Sequence, residues 1–190
     1  MRDERCDPGG VIMTTLNIHG YKGTPHNAAY SALCGITENI ISPEIDYDID
    51  NPEVILNRLL DICAADKIDM IVGTSLGGFF ASVIAAKYNK PLLLVNPCLQ
   101  PQEIIPALGY EGDVSWFEKL STEFEKLNME HVRCIIGDKD EVIGDHAFTK
   151  KLLGMERITV IPGGIHSGAT LNLEKHFLEM AKEIKIQKTC

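Results

Sequence analysis

Apolar residues in this chain gather in short runs, separated by longer stretches in which they recur every three or four positions. "TTLNI" (residues 14–18), "DMIVG" (69–73), "PLLLVN" (91–96), "VRCIIG" (132–137) and "ITVIPG" (158–163) have the length and composition of strands. The run 91–96 has no polar alternation, as expected of a strand covered on both faces. "IISPEIDY" (40–47) reads as a further strand, with Pro43 weakening its middle or placing it at an edge. The intervening stretches carry helical spacing. They are "PHNAAYSALCGIT" (25–37), "NPEVILNRLLDICAAD" (51–66), "LGGFFASVIAAKYNK" (76–90) and "NLEKHFLEMAKEIKI" (172–186). Asn51 is suited to cap the second helix with Pro52 in its first position, and Asn89 and Pro91 end the third. Six strands alternating with helices predict a three-layer α/β fold. Its sheet is six-stranded and mainly parallel, with helices on both faces.

In such a sheet, working groups collect at the carboxyl ends of the strands. The residues there are His19-Gly20-Tyr21, Ser75, Asn96, Asp138 to Asp140, and Gly163 to His166. Ser75 stands in Gly73-Thr74-Ser75-Leu76-Gly77, a G-x-S-x-G match between a predicted strand and a predicted helix. That is the setting of a nucleophile elbow. The glycines keep neighbours clear of a strained serine, and the helix start points partial positive charge at a developing oxyanion. A serine needs a base, and the base needs an orienting acid. "IIGDKDEVI" and "IPGGIHSGA" follow the fifth and sixth strands and supply both in the order Ser, Asp, His. Asp140 is the favoured acid. Asp138, directly after Gly137, is better placed to brace the turn, and Glu141 is a third candidate. His166, on a glycine lead-in, is the favoured base; His146 and His176 fall in helices, where surface roles are commoner. The backbone N–H groups of Tyr21 and Leu76 are the expected oxyanion donors. His19 and Gly20 shape that loop and border the expected pocket. A metal site using His19 and His26 matches no ligand spacing.

Composition narrows the partners. The chain has 190 residues, 45% hydrophobic and 24% charged, the usual soluble mix for one domain. A formal charge of −9 and an isoelectric point near 5.1 argue against nucleic acid. No apolar run is long enough for a membrane span. The six cysteines are scattered without a C-x-x-C pair, as expected of reduced thiols in a cytoplasm. Residues 1–12 read as a flexible leader. Residues 97–131, with the single tryptophan, read as a cap insertion in which Trp116 and Phe117 line a partly apolar pocket.

From Thr14 to about Ile186 the chain resembles α/β-hydrolases. It does so through "NIHGYKGTPHNA", "VGTSLGGFFA", "LLLVNPCLQP", "GDKDEVI" and "GGIHSG". Within that superfamily it is most similar to the small bacterial esterases of the YqiA/YcfP-like group. The resemblance implies a triad of Ser75, Asp140 and His166 acting on short acyl esters without a cofactor. A thioesterase or acyltransferase on the same triad, and a non-catalytic binding protein of this fold, are the alternatives. The glycine spacing at 73–78 is wrong for a phosphate-binding loop.

Overall fold

The computed structural model describes residues 11–189. Its strands are β1 (Val11–Ile18), β2 (Thr37–Ile41), β3 (Met70–Thr74), β4 (Leu92–Val95), β5 (Val132–Gly137) and β6 (Ile158–Ile161). They form one parallel sheet in the order β2-β1-β3-β4-β5-β6. The chain moves outward from β1 to β2, crosses back over β1 to β3, and then proceeds the other way. Strand order therefore reverses between β1 and β3, the place where sheets of this kind gather their working groups.

Alternating side chains of the central strands serve two cores. Ile71, Leu92, Leu94 and Ile136 face one cluster with Phe79 and Phe80 of α3 (Leu76–Tyr88) and Leu59 of α2 (Pro52–Ala65). Met70, Val72, Leu93, Val95 and Ile135 face the other. That second cluster contains Leu33 of α1 (Ala28–Cys34) and Phe177 of α7 (Leu173–Thr189). Double coverage explains the unbroken apolar runs of β3 and β4.

Several boundaries depart from the sequence reading. The first helix is shorter than 25–37. Asn27 caps it by accepting from the Tyr30 amide, and Gly35 ends it, which frees Thr37 to start β2. β2 accordingly lies earlier than 40–47 and stops at Ile41. Pro43 has no N–H to give a ladder, and Ser42 instead donates to the Pro25 carbonyl at 2.7 Å. The leader expected over 1–12 lies mostly outside the described residues, and β1 already begins at Val11. α2 starts as expected, with the Asn51 side chain accepting from the Val54 amide.

The segment expected as a cap holds α4 (Pro101–Ile104), α5 (Ser115–Ser121) and short 3-10 turns. Its two phenylalanines face inward: Phe117 and Phe124 meet the Phe79 ring edge-on at 5.2 and 5.3 Å. Much of this segment is thus a layer packed on α3. Its Ile105–Leu108 turn reaches the loop after β1, where Lys22 Nζ donates to the Leu108 carbonyl at 2.8 Å. No helix among the described residues is long and apolar enough to cross a membrane.

Candidate active site

Ser75 lies between β3 and α3 with φ 53° and ψ −124°, a backbone state that non-glycine residues rarely occupy. The strain is held by close packing. A Cβ on Gly77 would come within 2.2 Å of the Ile18 carbonyl oxygen, and one on Gly73 within 2.6 Å of the Gly78 Cα. Only glycine lets the start of α3 press against β1 at this depth. The Ser75 amide donates to the Val95 carbonyl at 3.1 Å, and its carbonyl accepts from Gly78 and Cys98. The corner is thus anchored to β4 and to its own helix.

The loop after β1 closes over the serine. A Cβ on Gly20 would lie 3.2 Å from Ser75 Oγ, so the 20–21 peptide runs directly beside the hydroxyl. Tyr21 meets Tyr47 and Tyr110 edge-on, and its phenol donates to Asp48 at 2.6 Å. Partial burial and the Asp48 carboxylate push that phenol up to about 12. On the other side of Ser75, the Leu76 amide opens the first turn of α3, where helix geometry provides no intrahelical acceptor.

The loops after β5 and β6 bring two further groups to the same point. His166 Nε2 lies 2.9 Å from Ser75 Oγ, and His166 Nδ1 lies 2.9 Å from both Asp140 oxygens. The carboxylate at Nδ1 assigns the proton there and leaves Nε2 bare to accept from the serine hydroxyl. The Asp140 side chain is fully buried, whereas that of His166 is 16% exposed, so the imidazole borders the open side. Burial alone would raise the Asp140 carboxyl. Hydrogen bonds from His146, His166 and the Ile143 amide outweigh it and hold the group well below the usual carboxylate range.

The three carboxylates that compete in the sequence have separate places. Asp140 faces the ring. Asp138 accepts from the Gly163 amide at 2.6 Å and ties the loop after β5 to the turn after β6. Glu141 accepts from the His166 amide at 3.1 Å and so holds the backbone of the histidine loop.

Two further residues complete the frame. Asn96, fully buried at the end of β4, donates from its side chain to the carbonyls of Ile165 and His166 at 2.9 and 3.0 Å. Its Oδ1 accepts from the Gly137 amide at 2.8 Å. One side chain therefore ties the tips of β4 and β5 to the histidine loop. Its place just after a strand is visible in sequence; its partners are not. His146, expected on a helix surface, is only 2% exposed, and its Nε2 donates to Asp140 Oδ2 at 2.9 Å. No sequence signal marks that contact.

Other expectations need correction. His19 does not border an open pocket: it is fully buried, its Nδ1 donates to the Gly20 carbonyl and its Nε2 accepts from the Ile45 amide. It shapes the loop from beneath. Phe117, 1% exposed among Phe79, Phe80 and Tyr110, is a core residue rather than a pocket wall. Trp116 is half-buried with Lys119 Nζ 4.8 Å from its ring centre. Cys98 sits under the elbow, but burial and the Asp140 charge push its thiol up to about 12, which keeps it protonated and poorly nucleophilic. His26 meets the Tyr30 ring edge-on at 4.6 Å, and the described residues contain no cluster of histidine, cysteine and carboxylate suited to a metal.

The fold is that of the α/β-hydrolases. Residues 14–142 match the model of the family described as "Uncharacterised protein family (UPF0227)", and the chain belongs to that family. Solved structures of similar shape include Est1E from Butyrivibrio proteoclasticus (18% identity, 94% of this chain and 88% of that one, TM-score 0.60). Another is MGS-MChE2, an α/β hydrolase enzyme from the metagenome of Mar Chica lagoon sediments (15% identity, 94% and 93%, TM-score 0.58). A third is an extracellular α/β-hydrolase from a Paenibacillus species (14% identity, 90% and 98%, TM-score 0.58).

Proposed function

We propose that this protein is a serine hydrolase that cleaves short-chain acyl esters through an acyl-serine intermediate. The observation that carries the reading is the unbroken hydrogen-bonded line from Ser75 Oγ through His166 to the buried Asp140, built on a strained serine. Ser75 Oγ attacks the ester carbonyl carbon while its proton passes to His166 Nε2. Asp140 stabilises the resulting imidazolium, and the Tyr21 and Leu76 amides hold the tetrahedral oxyanion. When the intermediate collapses, the C–O bond to the alcohol breaks and the alcohol leaves with the proton from His166. Water, deprotonated by the same ring, then releases the acid. All of these groups belong to the chain, and the scheme calls on no cofactor or metal. The scattered cysteines, without a C-x-x-C pair, support work in a reducing compartment such as the cytoplasm.

The first test is Ser75→Ala. Its circular dichroism and melting should match the parent, while hydrolysis of p-nitrophenyl acetate should fall by a factor on the order of 10⁶. Near-parental turnover would reject the assignment. A fluorophosphonate probe should label Ser75 in the parent alone; absence of labelling would favour a binding protein of the same fold. Matched oxygen-ester and thioester substrates, with product analysis in the presence of an acceptor alcohol, separate esterase from thioesterase and acyltransferase.

A further inference from the structure

We propose that His146 is a positioning residue for acyl transfer, a second imidazole that grips Asp140 by Oδ2 and so aims His166 at Ser75. The inference rests on the triad reading above.

The loop from Asp140 to His146 is wound around one carboxylate. The amides of Val142 and Ile143 donate to Oδ1 at 2.9 Å each, the Gly144 amide returns to the Asp140 carbonyl, and His146 closes the loop on Oδ2 at 2.9 Å. His166 Nδ1 is equidistant from both oxygens. Without His146, Oδ2 would have only the His166 ring as partner. The carboxylate could then turn about its last bond and carry the ring off the serine.

Local structure gives no other reason for a histidine at this position. His146 precedes α6 (Ala147–Leu153) in a left-handed conformation, φ 53° and ψ 34°, which suits glycine or asparagine better. Its side chain does not cap the helix; Asp145 does that by accepting from the Ala147 amide. The ring is buried, and its Nδ1 has no hydrogen-bond partner among the described residues. With an acceptor at Nε2 and no donor at Nδ1, the ring stands as the Nε2–H tautomer, a donor to the carboxylate. The ionisable groups gathered on this carboxylate are His146, His166, the Cys98 thiol, whose ionisation its charge opposes, and Glu141 at the His166 amide. Of the two imidazoles, His166 is the one that meets Ser75.

His146→Leu and His146→Gln in the full chain test this, with p-nitrophenyl acetate kinetics between pH 5 and 9. His146→Leu should lose about 10- to 100-fold in kcat with KM little changed. Its pH–rate profile should depart from the parent's, because the carboxylate that faces His166 loses one of its donors. His146→Gln, which can still present an N–H, should recover most of the loss. A folded His146→Leu with the parent's rate and pH profile overturns the inference, and so does a His146→Gln no better than Leu. Should the leucine variant not fold, ¹⁵N shifts of the parent decide: a protonated Nε2 and bare Nδ1 on His146 support the role, and the reverse tautomer refutes it. Failure of the triad reading would look different, since the parent itself would then escape fluorophosphonate labelling at Ser75.

Discussion

Asn96 shows how much a single buried amide can carry. Its backbone is left-handed, φ 42°, and its side chain makes three hydrogen bonds, two to the histidine loop and one to the end of β5. Asn96→Gly keeps the backbone affordable and removes only those bonds. It should destabilise the fold by about 2–4 kcal/mol in urea titrations, because carbonyl and amide groups are left buried and unpaired. Turnover should drop more than KM rises as the histidine loop loosens; unchanged stability would refute the clamp. Asp140 gives a pH signature. Its native carboxyl ionises well below the usual range, so its stabilising contribution is complete above the unfolded value of about 3.9 and fades as pH falls towards the native one. Melting temperature should therefore decline less steeply below about pH 4 in Asp140→Asn than in the parent. Equal slopes would mean that the carboxylate is not specially held. At this scale the sequence is legible where an offset from a strand end matters, as at Ser75 and Asp140. It is silent on His146, because a contact six residues away through a left-handed turn leaves no periodic trace.

Among the elements, the junction of β1 and α3 is the tightest. Gly77→Ala would set a Cβ 2.2 Å from the Ile18 carbonyl oxygen and 2.4 Å from that of His19, backbone atoms at the end of β1 that cannot swing aside. We expect a loss of more than about 3 kcal/mol, or failure to fold, read by thermal melting. Gly35→Ala is the control: its φ is −84° and the nearest atom is 3.6 Å away, so a change within about 0.5 kcal/mol is expected. Equal tolerance at both sites would contradict the close approach. The long helices and apolar strands are legible because period 2 and period 3.6 differ over many residues. The span from 25 to 47 is read less well. There a short helix, a five-residue strand and an irregular stretch succeed one another, and caps and proline, not periodicity, set the limits.

The whole molecule carries a formal charge of −9, which repels anionic substrates at low salt. For a carboxylate-bearing ester, kcat/KM should rise between about 10 and 200 mM salt, while a neutral ester should barely respond. Identical slopes would show that the field does not reach the site. The sequence by itself determined the order of strands and helices and a sheet buried on both faces. It also determined a glycine-flanked serine at a strand-to-helix corner, because these follow from local spacing and side-chain volume. Only the tertiary structure decided that Ser75 and His166, 91 residues apart, meet at 2.9 Å. It alone assigned one carboxylate to the ring and two to the loops, and turned Phe117 and His19 into the interior. A hydrogen bond needs contact within about 3 Å, and that closeness depends on strand order and loop path, which no local pattern encodes.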